Sequence, residues 1–198
     1  RPTNLDPRFA PDAFSDKISK LIFSPLLQRN AQGVLEGHLA SAIDRPDELT
    51  WIATLRRDAY FHDGSPVTAA DVVATYRSIL DPSLGTIKRL FLEPIDSIQA
   101  PHPYSVVFKL KRAYAPFPEV LAGIGVAPAK SLATLGLDFR DQLLGSGPFI
   151  FDSNTADGQI LLRRNSSWFG GEVKMESVRF RVVPDATVRV LELLHGSA

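Results

Sequence analysis

The chain has 198 residues, 44% of them hydrophobic, which is enough for a substantial core and too apolar for a disordered segment. Its 22 Lys and Arg balance 22 Asp and Glu, so no global field draws it to nucleic acid or anionic lipid. With no cysteine, disulfides and thiolate metal sites are excluded, and the longest nearly apolar run, Val120–Ala129, is far short of the roughly 20 residues of a membrane helix.

No signal peptide is visible, and the opening "RPTNLDP" reads as a processed or trimmed start. The segment Phe14–Leu27, with Ile18, Leu21 and Ile22 at helical spacing, predicts a helix ending near Pro25. "LTWIATLR" (49–56) alternates as a half-buried strand, with Leu49, Trp51, Ala53 and Leu55 on one face and Thr50, Thr54 and Arg56 on the other. Asp63-Gly64 is a turn pair, since glycine takes positive φ at low cost. Thr68 and Asp71 resemble a capping box, opening a helix whose buried stripe is Val72, Val73, Tyr76, Ile79 and Leu80. Asp81-Pro82 stops it.

Residues 97–111 read as a hairpin, its second strand pointing Val106, Phe108 and Leu110 inward. The apolar stretch 114–130 is punctuated by prolines, with a short helix around 117–122. Residues 145–165 form another hairpin, turning at Asp157-Gly158. "SVRFRVV" (177–183) is a strand with Val178, Phe180 and Val182 on one face. Asp185 caps a last helix carrying Val190, Leu193 and Leu194, and Gly196 stops it. The fold class is mixed α/β.

No candidate for chemistry assembles a constellation. His62-Asp63 invites a metal or acid/base reading, but neighbours on a turn diverge, and His38, His102 and His195 lie in other elements. The pair reads as a turn, with His62 packing or bonding locally. Gly145-Ser146-Gly147-Pro148 has neither the Lys-Ser/Thr of a phosphate loop nor the spacing of a nucleophile elbow, so backbone geometry explains it. Arg56-Arg57 and Arg163-Arg164 sit on strands, pointing one in and one out; Trp51 and Trp168 read as core or edge aromatics. No catalytic residue, metal ligand or cofactor is assigned. Residues alone point to an α/β binding module.

The order of these elements resembles the N-terminal part of the dipeptide/oligopeptide/nickel-type solute-binding proteins of ABC importers, the family 5 extracellular solute-binding proteins. The resemblance spans nearly the whole chain: "LDP" (5–7), "LIFSPLL" (21–27), "EGHLASAI" (36–43), "LTWIATLRRDAYFHDGSPVTAADVVATYRSILDP" (49–82), "DSIQAPHPYSVVFKLKRAYAPF" (96–117), "GSGPFIF" (145–151), "LLRRNSSWFGG" (161–171) and "VRVLELLHG" (188–196). Ser24-Pro25 stands where the family has Glu-Gly, and Ser197-Ala198 departs from its acidic end.

The resemblance implies a type II periplasmic-binding-protein fold with mixed sheets. Residues 1–43 plus 131–198 would form the main first lobe, and 44–130 an inserted subdomain. A strand before "LDP" and the second lobe would lie outside this chain. It implies a non-enzymatic, periplasmic or otherwise extracytoplasmic protein, or a cell-surface lipoprotein, that captures a peptide-like or other small-molecule ligand. Its partners would be that ligand and the ABC permease subunits, with no nucleic acid; the permease or an N-terminal lipid anchor would provide the membrane link. The alternative on the same fold is the ligand-sensing domain of a transcriptional regulator. The ligand-binding residues implied are Phe9, Ala10, Pro11, Asp12 and Ala13, with Ile124, Gly125 and Val126. Asp12 either meets a ligand amine or caps the helix beginning near Ala13.

Overall fold

In the computed structural model, which describes residues 2–9, 12–155, 158–183 and 185–196, Asp12 starts helix α1 (Ala13–Ile22). Its carboxylate accepts from the backbone N–H groups of Phe14 (2.9 Å) and Ser15 (2.8 Å), two of the donors that a helix start leaves without partners. Ahead of it, the "LDPR" segment is held by a buried ion pair. Asp6 accepts from the Arg8 guanidinium at 2.6–3.1 Å and from the Arg8 backbone N–H at 2.9 Å. The same guanidinium donates to Gly136 O at 2.7 Å and lies 5.6 Å over the Phe139 ring. With partners on both sides, neither charge is stranded in the interior.

After α1 the chain forms a small hairpin, β1 (Leu27–Arg29) and β2 (Leu35–Gly37), closed by Gly33 at φ 78°. A four-stranded antiparallel sheet follows, in the order β3 (Ala40–Asp44), β4 (Thr50–Leu55), β6 (Ser105–Leu110), β5 (Ile95–His102). Helix α2 (Ala69–Leu80) packs on it, with a single turn α3 (Arg89–Leu92) against α2, while α4 (Phe117–Gly123) packs against the β1–β2 hairpin. Their core is an aromatic chain. Tyr76 meets Phe108 at 5.3 Å, Phe108 meets Phe117 at 5.5 Å, and Phe117 meets Trp51 at 5.5 Å, separations at which tilted and edge-on rings attract.

A second core gathers Ile18 and Ile22 from α1, and Phe23 just past its end, with Leu132, Phe139, Phe149 and Leu162. It lies between α1, helix α5 (Ala129–Leu135) and the antiparallel sheet β7 (Phe149–Asn154), β8 (Ile160–Arg164), β9 (Ser177–Phe180). One carboxylate joins the two regions. Asp71 Oδ2 accepts from Thr68 N at 2.8 Å at the start of α2, and Oδ1 accepts from Ala129 N at 2.8 Å at the start of α5. Both contacts favour a negative charge at a helix N-terminus.

The chain closes with α6 (Ala186–Leu194), capped by Asp185 at Thr187 N (2.7 Å) and Val188 N (3.0 Å). Val190, Leu193 and Leu194 are exposed on it, the last two at 72% and 76%.

Several expectations need correction. The first helix, expected to end near Pro25, stops at Ile22, because Phe23 is extended and Pro25 disfavours helix at the residue before it; Leu27 opens β1. The strand expected over 177–183 ends at Phe180, and Val182 is exposed. Leu49 precedes β4 and is exposed rather than facing inward with Ala53 and Leu55. Arg56-Arg57 fall just past β4, where Arg56 pairs with Asp58 at 2.7 Å and Arg57 lies 5.3 Å over Tyr104. The 145–165 hairpin forms as β7–β8, with Gly158 at φ 78°; Asp157 lies outside the described residues.

Candidate ligand-binding face

One of the two stretches implied as ligand-binding, 124–126, packs against the chain leaving α1 and against Pro7. Pro25 bridges to Gly125, and Val126 N donates to Ser24 O at 2.9 Å, so the 124–127 loop runs along the chain leaving α1. A Cβ added at Gly125 would overlap Phe23 Cβ and press Pro7 Cβ at 3.3 Å, so glycine permits this approach. Lys88 completes the junction. Its amine donates to Pro7 O at 2.7 Å and Gly123 O at 3.2 Å, and Thr86 Oγ1 donates to Arg8 O at 2.7 Å. Burial pulls the Lys88 amine down to about 8, with Asp16 pulling the other way.

Around Gly123 three concavities meet. One, of about 480 Å³, lies between Lys20, Gln28, Arg29, His38, Glu119 and Trp168. A second, of about 360 Å³, is mostly apolar and lies between α3 and α4. A narrow one joins them beside Asp16, Phe23, Lys88 and Gly125. Arg29 pairs with Glu119 across the first, and Lys20 pairs with Asp16 at 2.6 Å.

The implied residues distribute unevenly over this face. Phe9 is half-buried, with the Arg8 guanidinium 6.0 Å from its ring. Ala13 is exposed. Ala10 and Pro11 lie outside the described residues. Ile124 is buried and lines the apolar groove; Gly125 lines the narrow one. The Val126 side chain is fully buried in the core, so it supports the loop from beneath. Asp12 is the N-cap, and it also accepts from Ser15 Oγ (2.6 Å) and Thr3 Oγ1 (3.1 Å). The Ser15 hydroxyl foremost holds its carboxyl at about 2.

Sequence reasoning missed Lys88. Lone lysines on polar loops are common, and only the fold shows this one folded under two carbonyls.

His62 bonds across the fold rather than locally. Its Nε2 donates to Gly147 O at 3.1 Å, and its backbone N–H donates to Gly145 O at 2.8 Å. Gly147 N donates to Ile22 O at 2.8 Å, and Asn165 Nδ2 donates to Gly147 O at 3.0 Å. "FHDG" therefore clamps "GSGP" onto the end of α1. At Gly145 an added Cβ would overlap the Ile22 carbonyl, and at Gly147 the Leu21 carbonyl, which explains both glycines. Trp168 and Phe169 pack on buried His38, Phe169 at 4.9 Å, and Arg56 lies 4.2 Å over the Phe169 ring. Burial first, then the nearby Arg56 charge, lowers the His38 imidazole to about 4, so it is neutral at pH 7. Among the described residues no group of three or more His, Asp or Glu side chains gathers as for a metal ion.

Residues 34–198 match the family described as bacterial extracellular solute-binding proteins, family 5 Middle. Protein XP55 of Streptomyces lividans is 32% identical over 88% of this chain and 33% of its own length. The oligopeptide-binding protein AppA of Bacillus subtilis, solved with a nonapeptide, superposes with a TM-score of 0.92 at 26% identity, over 99% of this chain and 41% of AppA. AgaA of A. tumefaciens R10, solved with agropinic acid, gives 0.94 at 27% identity, over all of this chain and 41% of AgaA. The chain thus spans 33% to 41% of the length of these relatives. It belongs to the family 5 bacterial extracellular solute-binding proteins.

Proposed function

We propose that this chain forms the first-lobe part of an extracytoplasmic solute-binding component of an ABC importer. In this reading the protein holds a peptide-like ligand against a second lobe and passes it to the permease, without chemical turnover. The observation that carries the reading is the face where Lys88 ties Pro7, the end of "LDP", to the 123–125 loop, with grooves on either side. Relatives whose names record oligopeptide and glutathione binding support the ligand class. Asp12, if the ligand is cationic, is the charge among residues 9–13 that meets it, in addition to capping α1. The division into a main lobe (1–43 plus 131–198) and an inserted subdomain (44–130) belongs to the same proposal. Two separate hydrophobic cores support it, although Leu26, Leu27 and Leu39 belong to the core of the sheet and β3, from Ala40, pairs with β4, which draws the start of the subdomain well before residue 44.

A ligand site of this kind encloses roughly 70–90% of its ligand, and hinge closure of two lobes supplies the second wall. The test is to express the full-length protein from the surrounding reading frame, identify co-purifying ligand by native mass spectrometry, and titrate it calorimetrically into both that protein and the 198-residue chain. A peptide-like molecule is expected on the full-length protein, with the short chain binding it far more weakly. Sub-micromolar binding by the short chain would overturn the two-lobe reading.

A further inference from the structure

We propose that Lys88 anchors a carboxylate of the ligand, and that the apolar groove beside it receives a hydrophobic group attached next to that carboxylate. The proposal rests on the solute-binding reading above.

The Lys88 ammonium has three N–H donors. Two go to the carbonyls of Pro7 and Gly123. Among the described residues no carboxylate stands within ion-pair distance of it. Asp16 and Asp6 act on it from farther away, and Lys20 opposes them. A largely buried cation matched only by neutral carbonyls is incompletely compensated, and an arriving anion would supply the missing charge. Its lowered pKa is the same imbalance seen from the proton's side.

The groove supplies the rest of the recognition. It is lined by Phe91, Tyr114, Pro116, Val120 and Ile124, with Lys88 and Glu119 at its edge, and the Glu119 charge is already matched by Arg29. Its volume of about 360 Å³ suits one or two side chains rather than a whole oligomer. Ile87, Leu90 and Phe91 extend this apolar surface into solvent. A ligand with an apolar group beside a carboxylate answers both features. The C-terminal residue of a short apolar peptide carries the two on one carbon atom; a fatty acid has the same chemistry at one end of its chain. The peptide is the assignment made here, because an aliphatic side chain matches a groove of this depth while a long alkyl tail would overrun it.

The experiment uses the full-length protein and three calorimetric probes: trileucine, trileucine C-terminal amide, and octanoate. Trileucine is expected to bind, with the amide at least tenfold weaker. Lys88→Met should weaken trileucine by a similar factor and leave the amide unchanged, whereas loss of a purely structural staple would weaken both alike. Equal binding of acid and amide by the wild-type protein would overturn the anchor, and that comparison holds even if Lys88→Met fails to fold. Octanoate bound in place of trileucine, and sensitive to Lys88→Met, would keep the carboxylate anchor and overturn the peptide. No binding of any probe, with a non-peptide ligand found by mass spectrometry, would leave solute binding standing and overturn its peptide-like ligand, and would overturn the anchor too unless that ligand is itself an apolar carboxylate lost in Lys88→Met.

Discussion

Lowering the pH should destabilise this chain through His38 before most carboxylates are protonated. The imidazole is 7% exposed and packed against Trp168 and Phe169, and the charges that act on it are Arg56 and Glu36. Its folded pKa is about 4 against an ordinary 6.5. The folded value is depressed, so between those limits the unfolded chain takes up a proton that the folded chain refuses, and stability falls as pH falls. The penalty is absent at pH 7.5, reaches about 2 kcal/mol at pH 5 and about 3 kcal/mol at pH 4. Urea denaturation at pH 7.5, 5 and 4 measures it, with His38→Phe as the reference because phenylalanine keeps the aromatic packing and cannot titrate. Carboxylates contribute equally to both proteins, so the difference between their pH profiles isolates the imidazole. Identical acid losses in the two proteins would refute the burial argument.

The remaining perturbations probe the clamp and the first helix. His62→Ala should lower stability by about 1–2 kcal/mol, from one lost hydrogen bond and a partly filled gap, while ligand affinity of the full-length protein stays unchanged; lost affinity with an intact melting transition would place His62 in the site. Gly145→Ala should cost about 3 kcal/mol or more, since the new Cβ meets the Ile22 carbonyl rather than a flexible side chain, and a variant with wild-type melting would show that the loop can move aside. Asp12→Ala should cost about 1 kcal/mol as a lost N-cap, with Asp12→Asn close to wild type in stability. If Asp12→Asn also retains full affinity for cationic ligands in the full-length protein, the carboxylate is a cap alone.

What the sequence disclosed, and what it hid, follows from the range of each interaction. The α2 helix was legible to the residue, because its capping box, its apolar stripe and its Asp81-Pro82 stop are all local signals. The β5–β6 hairpin was legible for the same reason: Val106, Phe108 and Leu110 recur at every second position and are buried, with Lys109 and Lys111 between and after them. The β1–β2 hairpin went unread, because two three-residue strands carry too little periodicity to register. At the candidate face, Asp12 could be read both as a cap and as a charge, since both roles use the same short acid. Lys88 and the Gly145-to-Ile22 approach were beyond reach, because their partners are carbonyls, which every residue type supplies and no sequence pattern marks.

That clamp also bears on how the protein comes to be made. The α1 terminus is sealed by a loop far along the chain, and Ser24 and Ser146, which are bonded to each other at 3.0 Å there, are 122 residues apart. While the chain is being synthesised, the first helix leaves the ribosome with its Ile22 carbonyl and its apolar face waiting for partners not yet translated. Closing so long a loop is slow compared with forming a local hairpin. The four-stranded sheet, by contrast, has its strands β3 to β6 within residues 40–110, so its pairings close over shorter loops. The stitch at Gly147 comes after it, because both of its partners, Ile22 and His62, are translated long before the loop that closes on them.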